Sequence, residues 1–203
     1  MTDHSALRTS YSALSAEYVD AFGSIEHTHP ADRSLVAAWA GGLIGTVLDA
    51  GCGPGQWSRF LARQGCDVQG VDLVPEFVDY ARSTYPELTF DVGDFSDIDV
   101  ETGSLGGILA WYTTIHHEPE EIPGVLAEFA RVLRPGGGLL VGYFESEHVE
   151  AFEHRVTRAY RWPTDALSDL IRAAGFVIVE THSRKEFDAR PHGAIVARRI
   201  ESR

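Results

Sequence analysis

Near the start of the chain, apolar residues recur at steps of three and four, at Leu7, Tyr11, Leu14, Tyr18 and Phe22. That spacing predicts one face of an amphipathic helix, with Gly23 as its stop. After the loop "HTHP", residues 31–40 predict a second helix. The pattern then changes. "TVLDA" (46–50) is a short apolar run that ends in glycines, and residues 54–64 predict a helix stopping at Gly65. "DVQGVD" (67–72) predicts a second strand, followed by a helix over 75–85 with Pro75 in its first turn. "LTFDVGD" (88–94) and "LGGILAWY" (105–112) predict strands three and four. A helix over 119–133, closed by "RPGGG", leads to a fifth strand, "LLVGYF" (139–144). Apolar strands without polar alternation, each followed by a helix, predict a parallel sheet covered on both faces.

The end of the chain departs from this rhythm. "FVIVETHS" (176–183) and "HGAIVARRI" (192–200) predict two strands with too little chain between them for a parallel crossover, which needs about a dozen residues. They therefore predict an antiparallel hairpin on an otherwise parallel sheet. Between the fifth strand and the last helix, "SEHVEAFEHRVTRAYRWP" carries an apolar stripe at Val149, Phe152, Val156 and Tyr160.

Composition narrows the class. The 203 residues are 44% hydrophobic and contain two cysteines, Cys52 and Cys66, which predicts one domain over 1–203 with its own core. No apolar run approaches the ~20 residues of a membrane span, and the opening residues lack the apolar segment of a secretory leader. Two unpatterned cysteines predict reduced thiols in a cytoplasm. The formal net charge of -13 argues against nucleic acid, which needs basic patches, and favours a small-molecule partner. Richness in Ala, Gly and Arg hints at a bacterial genome.

The candidate chemistry lies where the first strand ends, at "VLDAGCGPG". In a doubly wound sheet, ligands bind beyond the carboxyl ends of the strands. Gly51 and Gly53 let the backbone approach a ligand, and the next helix offers free N–H groups. A dinucleotide loop would read G-x-G-x-x-G; this one reads G-x-G-x-G and places Asp49 ahead of it. A carboxylate there suits a cationic ligand group and opposes a pyrophosphate. Asp72, closing the second strand, can accept both hydroxyls of a ribose. Asp94, after the third, can accept from an adenine amino group, with Phe95 beside the ring. Three acids after three consecutive strands form a constellation more specific than any one of them.

These residues resemble the class I S-adenosylmethionine-dependent methyltransferases, in their small-molecule branch. "VLDAGCGPG" is similar to the first motif of that superfamily, "VDLVPEFVDYAR" to the second and "DVGDFSDI" to the third. The stretch from 108 to 144 is similar to its fourth strand, next helix and fifth strand, and "LSDLIRAAGFVIVETH" to its last helix and sixth strand. The resemblance implies a Rossmann-like αβα sandwich with a seven-stranded, mostly parallel sheet in the order 3-2-1-4-5-7-6. Within the single domain it implies an N-terminal helical lid (1–41), a cofactor core (46–145), a substrate-cap segment (146–162) and a last helix with hairpin (163–203). It also implies S-adenosyl-L-methionine as cofactor and S-adenosyl-L-homocysteine as product. Tyr11, Asp49, Gly51, Gly53, Asp72, Leu73, Asp94, Phe95, Ala110 and Trp111 would line the cofactor. A small polar or anionic metabolite is the expected acceptor, with a homodimer as a possible assembly. A binding module without catalysis and a nicotinamide-dependent enzyme are the competing readings.

Methyl transfer is an in-line displacement that needs alignment of two reactants and, for some acceptors, a base. His116 and His117, after the fourth strand, are the candidate bases, since histidine titrates near neutral pH; either also fits a packing role. Tyr112 is the alternative. Tyr18, on the lid helix, and Arg155, Arg158, Arg190 and His192 are candidate acceptor contacts, because arginine grips a carboxylate by two hydrogen bonds. The same arginines also fit a solvated face, those of the cap segment paired with Glu147, Glu150 and Glu153. No metal is expected: neighbouring histidines rarely converge on one ion, and Thr113 and Thr114 stand where a diol-orienting metal would need an acid and an amide.

Overall fold

A computed structural model describes residues 4–187 and 190–201. The elements run α1 (His4–Phe22), α2 (Pro30–Ala40), β1 (Val47–Ala50), α3 (Gln56–Arg63), β2 (Val68–Asp72), α4 (Pro75–Thr84), β3 (Thr89–Val92) and β4 (Leu105–Trp111). There follow α5 (Ile122–Val132), β5 (Leu133–Glu145), β6 (Glu150–Glu153), β7 (Arg158–Trp162), α6 (Thr164–Ala173), β8 (Phe176–Arg184) and β9 (His192–Arg199). Strands β3-β2-β1-β4-β5 pair in parallel; β9 then pairs antiparallel with β5, and β8 with β9. This is the expected mostly parallel sheet with its terminal antiparallel hairpin.

The sheet nevertheless has nine strands, not seven. The two extra ones come from the cap segment, which forms the antiparallel hairpin β6-β7. Its position follows from pairing. Phe144 of β5 faces His192 of β9 on one edge and Arg161 of β7 on the other, while β4 stops pairing with β5 at Trp111–Gly142. The hairpin therefore continues the β4 edge of β5 just beyond the carboxyl end of β4, over the ligand side of the sheet. Two boundaries also differ. Helix α3 starts only after Gly55, whose φ of 85° is left-handed. The "RPGGG" segment lies inside β5 instead of closing α5, because Leu133 already pairs with Leu105.

Alternate residues of the central strands feed two cores. Ile108, Ala110, Leu139 and Val141 pack with Leu126 and Phe129 of α5 and Ile171 of α6. Leu109 and Leu140 face the other way, toward Val36 and Trp39 of α2 and Trp57 and Leu61 of α3. Close approach of the chain to the sheet makes β4 sensitive to volume. A Cβ on Gly106 would lie 2.1 Å from the Ile44 carbonyl oxygen, which is backbone and cannot rotate away. Gly106→Ala is expected to cost roughly 1–3 kcal/mol by overpacking. Gly124→Ala, at an exposed position of α5 where a Cβ meets nothing within 4 Å, is expected to stabilise by up to about 1 kcal/mol. Thermal denaturation of the two variants checks both signs.

Candidate active site

The turn after β1 is shaped by three left-handed glycines, Gly51 (φ 71°), Gly53 (φ 52°) and Gly55 (φ 85°). Gly51 N–H and Cys52 N–H both donate to the Val71 carbonyl, at 2.7 and 3.0 Å, which ties the turn to β2. Their reasons for being glycine differ. A Cβ on Gly51 would stand 2.3 Å from Thr113 Cγ2, whereas a Cβ on Gly53 would meet only Tyr18 Cε1, at 3.9 Å. Gly53 thus presents bare backbone to open space under α1.

Asp72 closes β2 beside this turn. Its carboxylate accepts the Gly53 N–H at 2.8 Å and the Val74 N–H at 2.9 Å. Two of about four acceptor positions are used, so capacity remains toward the cavity. Burial pushes the Asp72 carboxyl up to about 6, against the lowering effect of those N–H groups. Asp49, one strand over, accepts from Ser58 Oγ at 2.6 Å. Burial pushes it up to about 7, with Asp72 adding repulsion. Among the described residues no cationic side chain pairs with either carboxylate.

This arrangement carries a pH signature. The folded protein holds the Asp49 proton more tightly than an unfolded chain, whose value is 3.8. Folding stability from this group is therefore present at low pH and lost as pH rises from about 4 to about 7. Asp49→Asn is expected to gain thermal stability relative to the ligand-free parent across that window, with the difference level above about pH 8. Melting curves that stay parallel from pH 4 to 8 would contradict this.

The turn and both carboxylates open on a cavity of about 700 Å³. Asp49, Gly51, Gly53, Asp72, Leu73, Phe95 and Trp111 line one end, and Tyr11 and Tyr18 of α1 cover it. Both tyrosines dock on Phe77 of α4, ring centroids 5.9 and 5.1 Å away. Burial raises both hydroxyls, Tyr18 to about 12, so they stay protonated. The other end is walled by Tyr112, His116, Phe144, His154 and His192, with Arg155, Arg184 and Arg190 around it.

Four expected contacts lie off the cavity walls. Asp94 turns its carboxylate onto its own loop, where Oδ1 accepts the Ser96 N–H at 2.8 Å and Ser96 Oγ at 2.7 Å. Ala110 is sealed in the α5-side core. His117 is buried against the Phe95 ring, 5.2 Å between centroids, on the inner side of a 3-10 turn (Thr114–His116). The exposed Arg158 side chain stands 3.8 Å from Glu118. It contributes its backbone instead, since the Arg158 carbonyl oxygen accepts from His116 Nδ1 at 2.7 Å. Arg155 does border the cavity but is paired with Glu17.

The bond to the Arg158 carbonyl settles the His116 tautomer. A carbonyl only accepts, so Nδ1 carries the proton and Nε2 carries the lone pair. Nε2 accepts from the Tyr11 hydroxyl at 2.9 Å. Burial lowers the His116 pKa, which keeps the ring neutral near pH 7. Tyr112, at φ 58°, holds a sparsely populated backbone conformation for a bulky residue, and its hydroxyl is bonded to His192 Nδ1. Sequence reasoning missed Phe144 and His154. Phe144 follows from its place at the ligand-side end of β5; His154 has no local signal, because the hairpin that delivers it is visible only in three dimensions.

Residues 47–137 match the family model described as "Methyltransferase domain". The chain is 31% identical over 130 residues to an uncharacterised methyltransferase of Mycobacterium tuberculosis (strain H37Rv), covering 62% of this chain and 51% of the relative. It is 30% identical over 146 residues to a ubiquinone biosynthesis O-methyltransferase of Xanthomonas oryzae pv. oryzae, covering 68% and 60%. The chain thus spans about half the length of the curated relatives it matches. Among solved structures, a Burkholderia thailandensis 1,6-didemethyltoxoflavin N1-methyltransferase, holding 1,6-didemethyltoxoflavin and S-adenosylhomocysteine, matches at TM-score 0.73 and 26% identity, over 96% of this chain and 91% of that one. The magnesium protoporphyrin IX methyltransferase of Synechocystis, with S-adenosylmethionine bound, matches at TM-score 0.78 and 21% identity, over 98% of both chains. With the glycine turn, the acid-tipped β2 and the sheet order, these likenesses show a methyltransferase-like domain over residues 47–137, on a fold similar to that of S-adenosylmethionine-dependent methyltransferases.

Proposed function

We propose that the protein binds S-adenosylmethionine beneath α1 and catalyses transfer of its methyl group to a small, polar or anionic acceptor at the far end of the cavity. The observation that carries this reading is the pair of buried carboxylates, Asp49 and Asp72, beside a turn whose Gly53 leaves room for a ligand. The donor set fits the ligand: a ribose offers two hydroxyl donors to Asp72, and an ammonium and a sulfonium offer the positive charge that Asp49 lacks. A dinucleotide would bring its pyrophosphate against the same acids, at a steep electrostatic cost.

When bound, S-adenosylmethionine supplies a methyl group activated by a sulfonium leaving group. The chain supplies alignment and exclusion of water, which together account for ~7–11 kcal/mol in well-oriented reactions. Asp72 orients the sugar and Asp49 the cationic tail, while Leu73, Phe95 and Trp111 offer apolar surface and Tyr11 and Tyr18 close the roof. For an acceptor that must lose a proton, Tyr11 Oη takes that proton as its own passes to His116 Nε2. The resulting imidazolium keeps its Nδ1–H on the Arg158 carbonyl. His116 thus acts as base through Tyr11, and His117 supports the turn from the core side.

Calorimetric titration with S-adenosylhomocysteine and with NAD tests the cofactor, and transfer of a labelled methyl group into a metabolite extract tests the reaction. Binding of the homocysteine nucleoside together with labelled product supports the proposal. Binding without product would support a non-catalytic module, and NAD binding alone would overturn the cofactor assignment.

A further inference from the structure

We infer that the acceptor end of the cavity is built for a flat aromatic or heteroaromatic compound carrying one negative charge, bound by Arg190; this rests on the methyltransferase reading above. Phe144 is the centre of the wall. Its ring centroid lies 4.9 Å from that of Tyr112, 5.7 Å from His192 and 6.2 Å from His154. These rings pack on one another and all border the cavity, and they are held in place. Tyr112 is fixed by its left-handed backbone and its bond to His192, and His116 by bonds from both ring nitrogens. A rigid wall built of rings rewards a planar ligand, which packs against it without losing internal freedom. A flexible acyl chain or a sugar gains less from it.

The charge at this end is nearly cancelled, with one exception. Arg155 pairs with Glu17, and Arg184 pairs with Asp32 and Glu186. The imidazoles contribute no charge near neutral pH. Burial lowers His116 and His192, and burial with neighbouring His116 and Arg190 pushes His154 down to about 4. Among the described residues no carboxylate pairs with Arg190. Its guanidinium instead stacks over Phe152 at 4.9 Å and over Phe144 at 5.6 Å. A guanidinium lying on rings keeps its in-plane N–H donors for a ligand, in the fork that suits a carboxylate or an enolate. Among the described residues the cavity therefore sets one guanidinium without a carboxylate partner beside a stack of rings.

The test is calorimetric titration of the protein, saturated with S-adenosylhomocysteine, with 2-naphthoate, 2-naphthamide and decahydro-2-naphthoate. The first is flat and anionic, the second flat and neutral, the third anionic and not flat. We expect 2-naphthoate to bind about tenfold more tightly than either of the others. Arg190→Gln should erase the preference for the anion over the amide while keeping the preference for the flat ring. Arg190→Lys should retain part of the anion preference, and thermal melts verify that both variants fold. Equal affinity for 2-naphthoate and 2-naphthamide, an anion preference that survives Arg190→Gln, or no binding of either flat probe at millimolar concentration overturns the inference. The homocysteine nucleoside is titrated separately. Its failure to bind while the naphthoate pattern holds would remove the cofactor reading and leave the acceptor site standing.

Discussion

Asp72→Asn is expected to lower the affinity for S-adenosylhomocysteine by about a hundredfold, read by calorimetry. The carboxylate does two jobs at once. It accepts the Gly53 and Val74 N–H groups, and it keeps acceptor capacity for two sugar hydroxyls. Hydrogen bonds to a charged group contribute about 1.5–3 kcal/mol each, so weakening two of them reaches a factor on the order of a hundred. Asparagine also turns an NH₂ donor toward one of the two backbone N–H groups, which loosens the glycine turn. Asp72→Ala removes both acceptors and should cost at least as much. An affinity within about threefold of the parent's for both variants would remove Asp72 from the site, whatever their melting temperatures.

Tyr11→Phe and His116→Asn are each expected to lower turnover by about a hundredfold or more, the range for loss of a positioned acid-base group, with little change in cofactor affinity. The phenylalanine ring keeps the docking of α1 on Phe77 and Tyr18 and loses only the hydroxyl. Rates are read as labelled methyl transferred to the acceptor fraction of a metabolite extract. The pH profile separates a proton-transfer role from a packing role. In the proposed relay neutral His116 is the working form, and its pKa is lowered by burial, so the parent's rate should fall only below the ordinary histidine value of about 6.5. That acid limb should disappear in His116→Asn. A variant that lost stability alone would keep the limb. The two substitutions are also expected to be non-additive, since either one breaks the same relay.

The grouping of residues at the first two strand ends was legible in the chain because it is local. Three left-handed glycines in a row of turns, a carboxylate before them and another closing the next strand are adjacent in sequence or one βα unit apart, and the parallel pairing of β1 with β2 brings them together. The acceptor end was less legible. His116 and His117 are neighbours with the same chemistry, yet the 3-10 turn sends one to the cavity and the other to the Phe95 core. Asp94 sits after its strand as expected, and its carboxylate is drawn onto Ser96.

Short apolar runs, their glycine stops and the spacing of helices between them determined the parallel sheet, its terminal hairpin and the glycine turn after β1, because backbone preference and burial on both faces act over a few residues; the strand order came only with the family resemblance. The partnership of Tyr11 with His116, 105 positions apart, and the hairpin that carries His154 over the end of β4 were decided by tertiary structure. Both depend on where α1 docks and where β4 stops pairing with β5, and those are outcomes of packing between distant segments, which no local spacing encodes.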